Sequence, residues 1–343
     1  EVRGGVVWGG GPVGRRLLAG PFLSGAGLPT RTAIHHLAAM NIPAILAALV
    51  AMVPACSPAE APESMPWGEH GHLISGRAAA VDLPQDMPGF LRNASAQLSY
   101  LNPEPDRWRD DQFRAMNEAF RYDHYVDMEN LTPAAVGAED RYQYLAALFG
   151  TDLGNPVRDG GFLHLHILEL YQRMVVGLRD WRDAPGPRER AWIEARVIND
   201  AGILGHYVTD GAQPHHTTIH FNGWSDRVPN SEGYTTSRDI HWQFESLFPQ
   251  AHVTFEDILP RIASQPRRLE DVRAEIWEFL TESNLQVETL YRIERDVGFD
   301  PDEPADPRAK AFVVDRLVAG VEMLRALWWS AWLESGEPRQ ERD

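Results

Sequence analysis

The sequence predicts an all-α protein, with one multi-helix domain over residues 67–343. Three observations lead there. Apolar residues recur at helical spacing through most of the chain beyond residue 67. β-branched alternating runs are scarce, and an Asn-Gly hairpin signal stands only at Asn222-Gly223. With 343 residues, 11 Trp and 10% aromatic content, the chain can bury one large core.

The elements follow in order. The first helix is expected over 73–81, closed by Leu83-Pro84, and a second over 88–101. A third spans 110–122, with Phe113, Met116, Asn117 and Phe120 on one face. A fourth lies within 131–149, with Pro133 near its start. The stretch 161–181 is long and apolar on the side of Leu165, Leu168, Tyr171 and Val175. Pro187 opens a helix that runs to Asp210, where Gly211 and Pro214 end it. Helices over 239–248, 256–264, 268–297 and 306–335 complete the set. Such a pattern packs helix on helix around one core.

The first 66 residues read differently. Residues 1–39 are Gly- and Arg-rich without a period, an upstream segment of doubtful status. Residues 40–56 hold an apolar run too short to span a bilayer comfortably but of signal-peptide length. The run ends in Val53-Pro54-Ala55-Cys56, which resembles a bacterial lipoprotein processing site; an ordinary signal peptide with an incidental cysteine accounts for the same residues. Either way the expectation is export: periplasmic, anchored to a membrane through Cys56, or secreted. Residues 57–66 form a Pro-rich acidic spacer. The single cysteine excludes an intramolecular disulfide. The formal charge of -17 argues against broad electrostatic binding to nucleic acid or anionic membrane, though not against a phosphate held at a local metal cluster.

The chemistry concentrates in Gly205-His206-Tyr207-Val208-Thr209-Asp210-Gly211-Ala212-Gln213-Pro214-His215-His216. His206 and Asp210 are four apart, so a helix puts them on one face. The turn at Gly211 and Pro214 returns His215 or His216 beside them. Two imidazoles and a carboxylate are what zinc takes from a protein. His241 and Glu245 form a second pair at the same spacing. His70 and His72 sit in a Gly-containing turn, and His124 lies among aromatics in Tyr122-Asp123-His124-Tyr125-Val126-Asp127. In Asp106-Arg107-Trp108-Arg109-Asp110-Asp111, carboxylates flank a tryptophan. His164 and His166 read as core or edge residues.

The ordered set Trp67-Gly68-x-x-Gly71-His72, Trp108-x-Asp110, His124-Tyr125-Val126-Asp127, Gly205 to His216, and His241-x-x-x-Glu245 resembles the zinc-dependent phospholipase C and S1/P1 nuclease superfamily. The resemblance implies an all-helical fold with up to three zinc ions at the bottom of a cleft. It implies that Asp110, His124, His206 and Asp210 hold one ion. Asp210, His72 and the Trp67 backbone would hold a second, and His216, His241 and Glu245 the third. It further implies hydrolysis of a phosphodiester by metal-activated water, with Asp110 as the catalytic residue that orients it or takes its proton. The substrate would be a phospholipid or single-stranded nucleic acid; no protein partner is expected. Trp108, Tyr125, Tyr207, Phe221, Trp224 and Trp242 can stack a base, hold acyl glycerol or fill the core. The alternative outside enzymology is a non-catalytic exported zinc lipoprotein.

Overall fold

The computed structural model describes residues 68–338, and within them secondary structure is almost wholly helical. Eight helices carry the architecture: α1 (Glu69–Ala79), α2 (Ser95–Leu101), α3 (Arg141–Phe149), α4 (Leu163–Arg182), α5 (Pro187–Ala212), α6 (Val272–Asn284), α7 (Val287–Val297) and α8 (Pro307–Ser335). Among the described residues no strand forms beyond isolated bridges at Val126–Gly161 and Phe221–Gly223. The expectations for Trp67 and for residues 1–66 lie outside the described residues.

α5 is the axis. Pro187 begins it, where its missing N–H goes unneeded, and Val197 onward is almost continuously buried. It packs against α4, α8, α2 and α1. Leu204, Tyr207 and Val208 are fully buried and each contributes about 1.5–3 kcal/mol by burial. Two glycines permit the close crossing of α2. A Cβ on Gly202 would come within 2.4 Å of the Leu101 Cβ, and one on Gly205 within 2.5 Å of the Asn102 amide nitrogen. α8 closes the core with Leu317, Val321, Leu324 and Trp328. Its buried Arg325 donates to the carbonyls of Ala79, Val81 and Ala263, satisfying the C-terminal end of α1.

Several expected helices are broken. Residues 88–101 form two pieces, Gly89–Arg92 and α2. Residues 131–149 split at Asp140, whose carboxylate accepts the N–H groups of Tyr142 and Gln143 and so starts α3 afresh. The stretch 268–297 breaks at Leu285-Gln286 into α6 and α7. Residues 110–122 begin as a 3-10 turn, Asp111–Phe113, and end as another, Arg121–His124.

His164 on α4 lies between the rings of Tyr144 (4.6 Å) and Trp277 (4.3 Å), with no hydrogen-bond partner for either ring nitrogen. Burial, reinforced by Arg273 and Arg141, pulls its pKa down to about 3. An unfolded histidine takes its proton near pH 6.5, so between the two values the unfolded state binds more protons than the folded one. Stability is therefore full above pH 6.5 and falls as the pH drops toward 3, by at most about 1.4 kcal/mol per pH unit for this group. His164→Leu is expected to flatten the acid limb of a denaturant-derived stability profile by one proton; an unchanged slope contradicts this.

Candidate metal centre

Six segments, α5 among them, bring ionisable side chains together at the C-terminal end of α5. α1 supplies His72, the turn Glu104–Arg107 supplies Asp106, and the 3-10 turn Arg121–His124 supplies His124. α5 itself supplies His206 and Asp210, and the turn that follows it, Pro214–Thr217, supplies His216. The last pair, His241 and Glu245, comes from residues 240–252. There a π-helical stretch, Gln243–Leu247, interrupts the helix. Pro249 lacks the N–H that an α-helix would give to the carbonyl of Glu245, which favours the wider turn.

The first cluster centres on Asp210. Its Oδ2 lies 2.9 Å from His124 Nδ1 and 3.2 Å from His206 Nε2, and these two nitrogens are 3.0 Å apart. Asp106 Oδ1 adds a second carboxylate, 3.8 Å from His206 Nε2 and 4.0 Å from His124 Nδ1. The other oxygen of Asp210 lies 3.5 Å from His72 Nε2. The His72 ring stacks on that of His206 at 4.0 Å. The second cluster is tighter: His241 Nε2 lies 2.8 Å and His216 Nε2 3.4 Å from Glu245 Oε2, with the two nitrogens 3.2 Å apart. Three groups thus have ligand atoms mutually close enough to hold a metal ion: His72/Asp106/His206, His124/His206/Asp210 and His216/His241/Glu245.

A second tier orients these side chains. Asn102 Oδ1 accepts from His72 Nδ1 at 2.8 Å, leaving Nε2 to face Asp210. The carbonyl of His124 accepts from His216 Nδ1 at 2.7 Å, leaving Nε2 for the second cluster. The Gln213 amide is fixed at both ends: its oxygen accepts from the His215 N–H at 2.6 Å, and its nitrogen donates to Glu245 Oε2 at 3.2 Å. Such partners set the tautomer and direction of a metal-binding imidazole or carboxylate. The clusters also lie at the negative end of the α5 dipole, which favours positive charge.

The residues present fit a cation. His72 Nε2, Asp210 Oδ1 and Asp106 Oδ1 are buried polar atoms without a hydrogen-bond partner among the described residues. Burial pulls His124 down to about 4 and His206 well below its ordinary value, which favours the neutral, lone-pair-bearing imidazole, whereas at His72 and His216 burial is outweighed by the Asp210 carboxylate, which raises both. Burial raises Asp106 to about 7, which marks a carboxylate short of positive charge. Burial also opposes ionisation of Asp210, but His206 and His216 outweigh it and hold that carboxyl well below the usual range. Neutral imidazoles and carboxylates converging in a dry site are the donor set of a zinc-like divalent ion.

The structure therefore brings together His72, His124, His206, Asp210, His216, His241 and Glu245 in two adjoining clusters. It does not bring Asp110 there. The Asp110 backbone is extended (φ -106°, ψ 114°), and its carboxylate accepts from the Gln112 N–H at 2.8 Å, capping the turn Asp111–Phe113. Asp106, one turn earlier in the same acidic run, is the carboxylate that lies near His206 and His124 and groups with His72 and His206. Asp106 was visible only as the other carboxylate flanking Trp108. His215, between ligand positions, is buried against His241, Phe244 and Tyr291 and joins no cluster.

No family model matches this chain, and no curated protein does. Among solved structures, Alpha Toxin from Clostridium Absonum aligns with a TM-score of 0.39 and 11% identity, over 80% of this chain and 66% of that one. The chain thus spans just under two thirds of that protein's length. A likeness this slight carries no functional argument.

Gly205 and Asn102 jointly set His72, so Gly205→Ala is expected to displace Asn102. Overpacking of this kind costs about 1–3 kcal/mol, and lost orientation costs about tenfold or more in metal affinity. Thermal denaturation and metal content after dialysis check both; a variant that keeps its metal and its Tm contradicts the role.

Proposed function

We propose that this protein is a zinc-dependent phosphodiester hydrolase of the phospholipase C and single-strand nuclease kind. The observation that carries this reading is Asp210, a buried carboxylate with Oδ2 against His124 and His206 and Oδ1 3.5 Å from His72 and 3.7 Å from His216, beside the second ligand group. Ligand groups this close are the arrangement used to clamp the attacking and leaving oxygens of a phosphoryl centre.

When bound, divalent ions here supply Lewis acidity toward a phosphoryl oxygen and acidify a coordinated water. The chain does the rest. His124, His206, Asp210 and Asp106 bind on one side; His216, His241 and Glu245 bind on the other; His72 bridges toward Asp210. Asp106 is the carboxylate near the ligands that would hold or accept a proton, in the role the family resemblance implied for Asp110. Arg109 stands beside it, with Nη1 3.9 Å from Asp106 Oδ1, where a phosphoryl oxygen can pair with it. Phe221 is 44% exposed with its ring 6.3 Å from that of His241, a surface for the apolar or planar part of a substrate. Trp224 is spent elsewhere, stacked on His220 at 3.8 Å. Export, with or without a lipid on Cys56, belongs to the same proposal and supplies an extracytoplasmic setting for such an enzyme.

The test uses phosphatidylcholine, single-stranded DNA and a p-nitrophenyl phosphodiester, each with and without chelator. Chelator-sensitive turnover is expected, and the preferred substrate decides the branch. Absence of turnover on all three with zinc bound contradicts the proposal and leaves a structural zinc lipoprotein. Asp106→Asn is expected to lower kcat at least a hundredfold, the scale on which general acid–base groups contribute, while Asp110→Asn stays within a few-fold. The reverse ranking would return the catalytic role to Asp110.

A further inference from the structure

The turn that presents His124 is held by a charged network that lies outside both clusters. Asp123, the residue before His124, is buried, and its Oδ1 accepts from Arg141 Nη1 at 2.6 Å. Arg141 heads α3 and grips Glu169 of α4 with its other edge, Nε to Oε1 at 3.1 Å and Nη2 to Oε2 at 2.9 Å. Its guanidinium also lies over the Phe162 ring at 4.9 Å. His166 of α4 closes the network: its Nδ1 is 3.2 Å from Asp123 Oδ2 and 3.3 Å from Glu169 Oε2. The His166 ring meets Tyr207 edge-on at 4.3 Å, and Tyr207 in turn lies 5.2 Å from the rings of both His124 and His206.

The turn Arg121–His124 is a single 3-10 turn of four residues, too short to hold its own orientation. The carbonyls of Tyr122 and of Tyr125 just beyond the turn accept from Phe162 and Leu163, and the His124 carbonyl accepts from His216 Nδ1; these bonds hold the backbone, and the side chains of Asp123 and His124 meet partners of their own. In a 3-10 turn successive side chains are about 120° apart, so Asp123 and His124 move as two arms of one crank. Holding the Asp123 arm from Arg141 sets the direction of the His124 arm. An ionic network of this sort, buried only at Asp123, is weak evidence of added stability. What it adds is direction, since the Arg141 fork has only one geometry that serves Asp123 and Glu169 together.

We propose that Arg141 is a positioning residue for the first cluster, acting through Asp123 to aim His124 Nδ1 at the cation that Asp210 and His206 also hold. The inference rests on the reading that this cluster holds a divalent ion. Arg173–Asp200 is the natural control: it too pairs an arginine with a buried carboxylate (2.6 Å), but Arg173 is on α4 and Asp200 lies ten residues before Asp210 on α5.

The experiment titrates Co2+ into the metal-free full chain, in a His241→Ala background that removes the second cluster, and follows the visible d–d absorption. Arg141→Gln is expected to raise the Co2+ dissociation constant tenfold or more, the range for lost outer partners of a metal ligand, and to alter the d–d band. Arg141→Lys, which keeps charge but not the fork, should fall between, and Arg173→Gln should titrate like the parent. An Arg141→Gln protein with the parent's affinity and spectrum overturns the proposal. If Arg141→Gln does not fold, Glu169→Ala at the more exposed end of the fork is expected to weaken Co2+ in the same direction; unchanged binding again overturns it. A parent that binds no Co2+ while folded refutes the cation reading itself, a result distinct from failure of the Arg141 role.

Discussion

A carboxylate with no exposed surface is the constraint around which this molecule is built. Asp210 sits at the end of the central helix with one oxygen against His124 and His206 and the other toward His72 and His216. An ionised group taken so far from water costs several kcal/mol unless it is met by opposite charge or hydrogen bonds. Four imidazoles from four separate segments meet it here, and none of them brings a permanent positive charge. The arrangement makes electrostatic sense with cations among these ligands. It explains why polar side chains gather where a helical core would otherwise be sealed with leucine.

The rest of the fold serves that gathering. Glycines at 202 and 205 let α2 approach until Asn102 reaches His72. The carbonyl of His124 receives His216, and the N–H of Val126 donates to the His216 carbonyl. The segment carrying one ligand of the first cluster is thereby strapped to a ligand of the second. The π-helical stretch Gln243–Leu247 carries Glu245, whose Oε2 faces both His241 and His216. Each device is local and short-range, and each depends on long helices, α4, α5 and α8, that pack independently of the polar site.

Much of this was legible in the sequence because helical spacing is a strong signal. His206 with Asp210 and His241 with Glu245 each stand four apart, and Gly211 and Pro214 announced the turn that returns His216. Asp106 was not legible as the inward carboxylate. It and Asp110 are also four apart, and a continuous helix would have placed both on one face. The chain instead turns extended at Asp110, whose carboxylate caps the next turn, and no Gly or Pro stands between Asp106 and Asp110 to mark the break. The break at Leu285-Gln286 escaped for the same reason, since neither residue marks a helix end. Buried networks such as Asp123–Arg141–Glu169–His166 join residues up to 46 positions apart, and no pattern along the chain reveals them.

The most direct measurement is anomalous diffraction from crystals of the protein, recorded on both sides of the zinc absorption edge. One peak is expected within bonding reach of His124 Nδ1, His206 Nε2 and Asp210 Oδ2, and another within reach of His216 Nε2, His241 Nε2 and Glu245 Oε2. Zinc-replete crystals with no peak at either cluster would contradict the central claim that these buried side chains exist to hold metal.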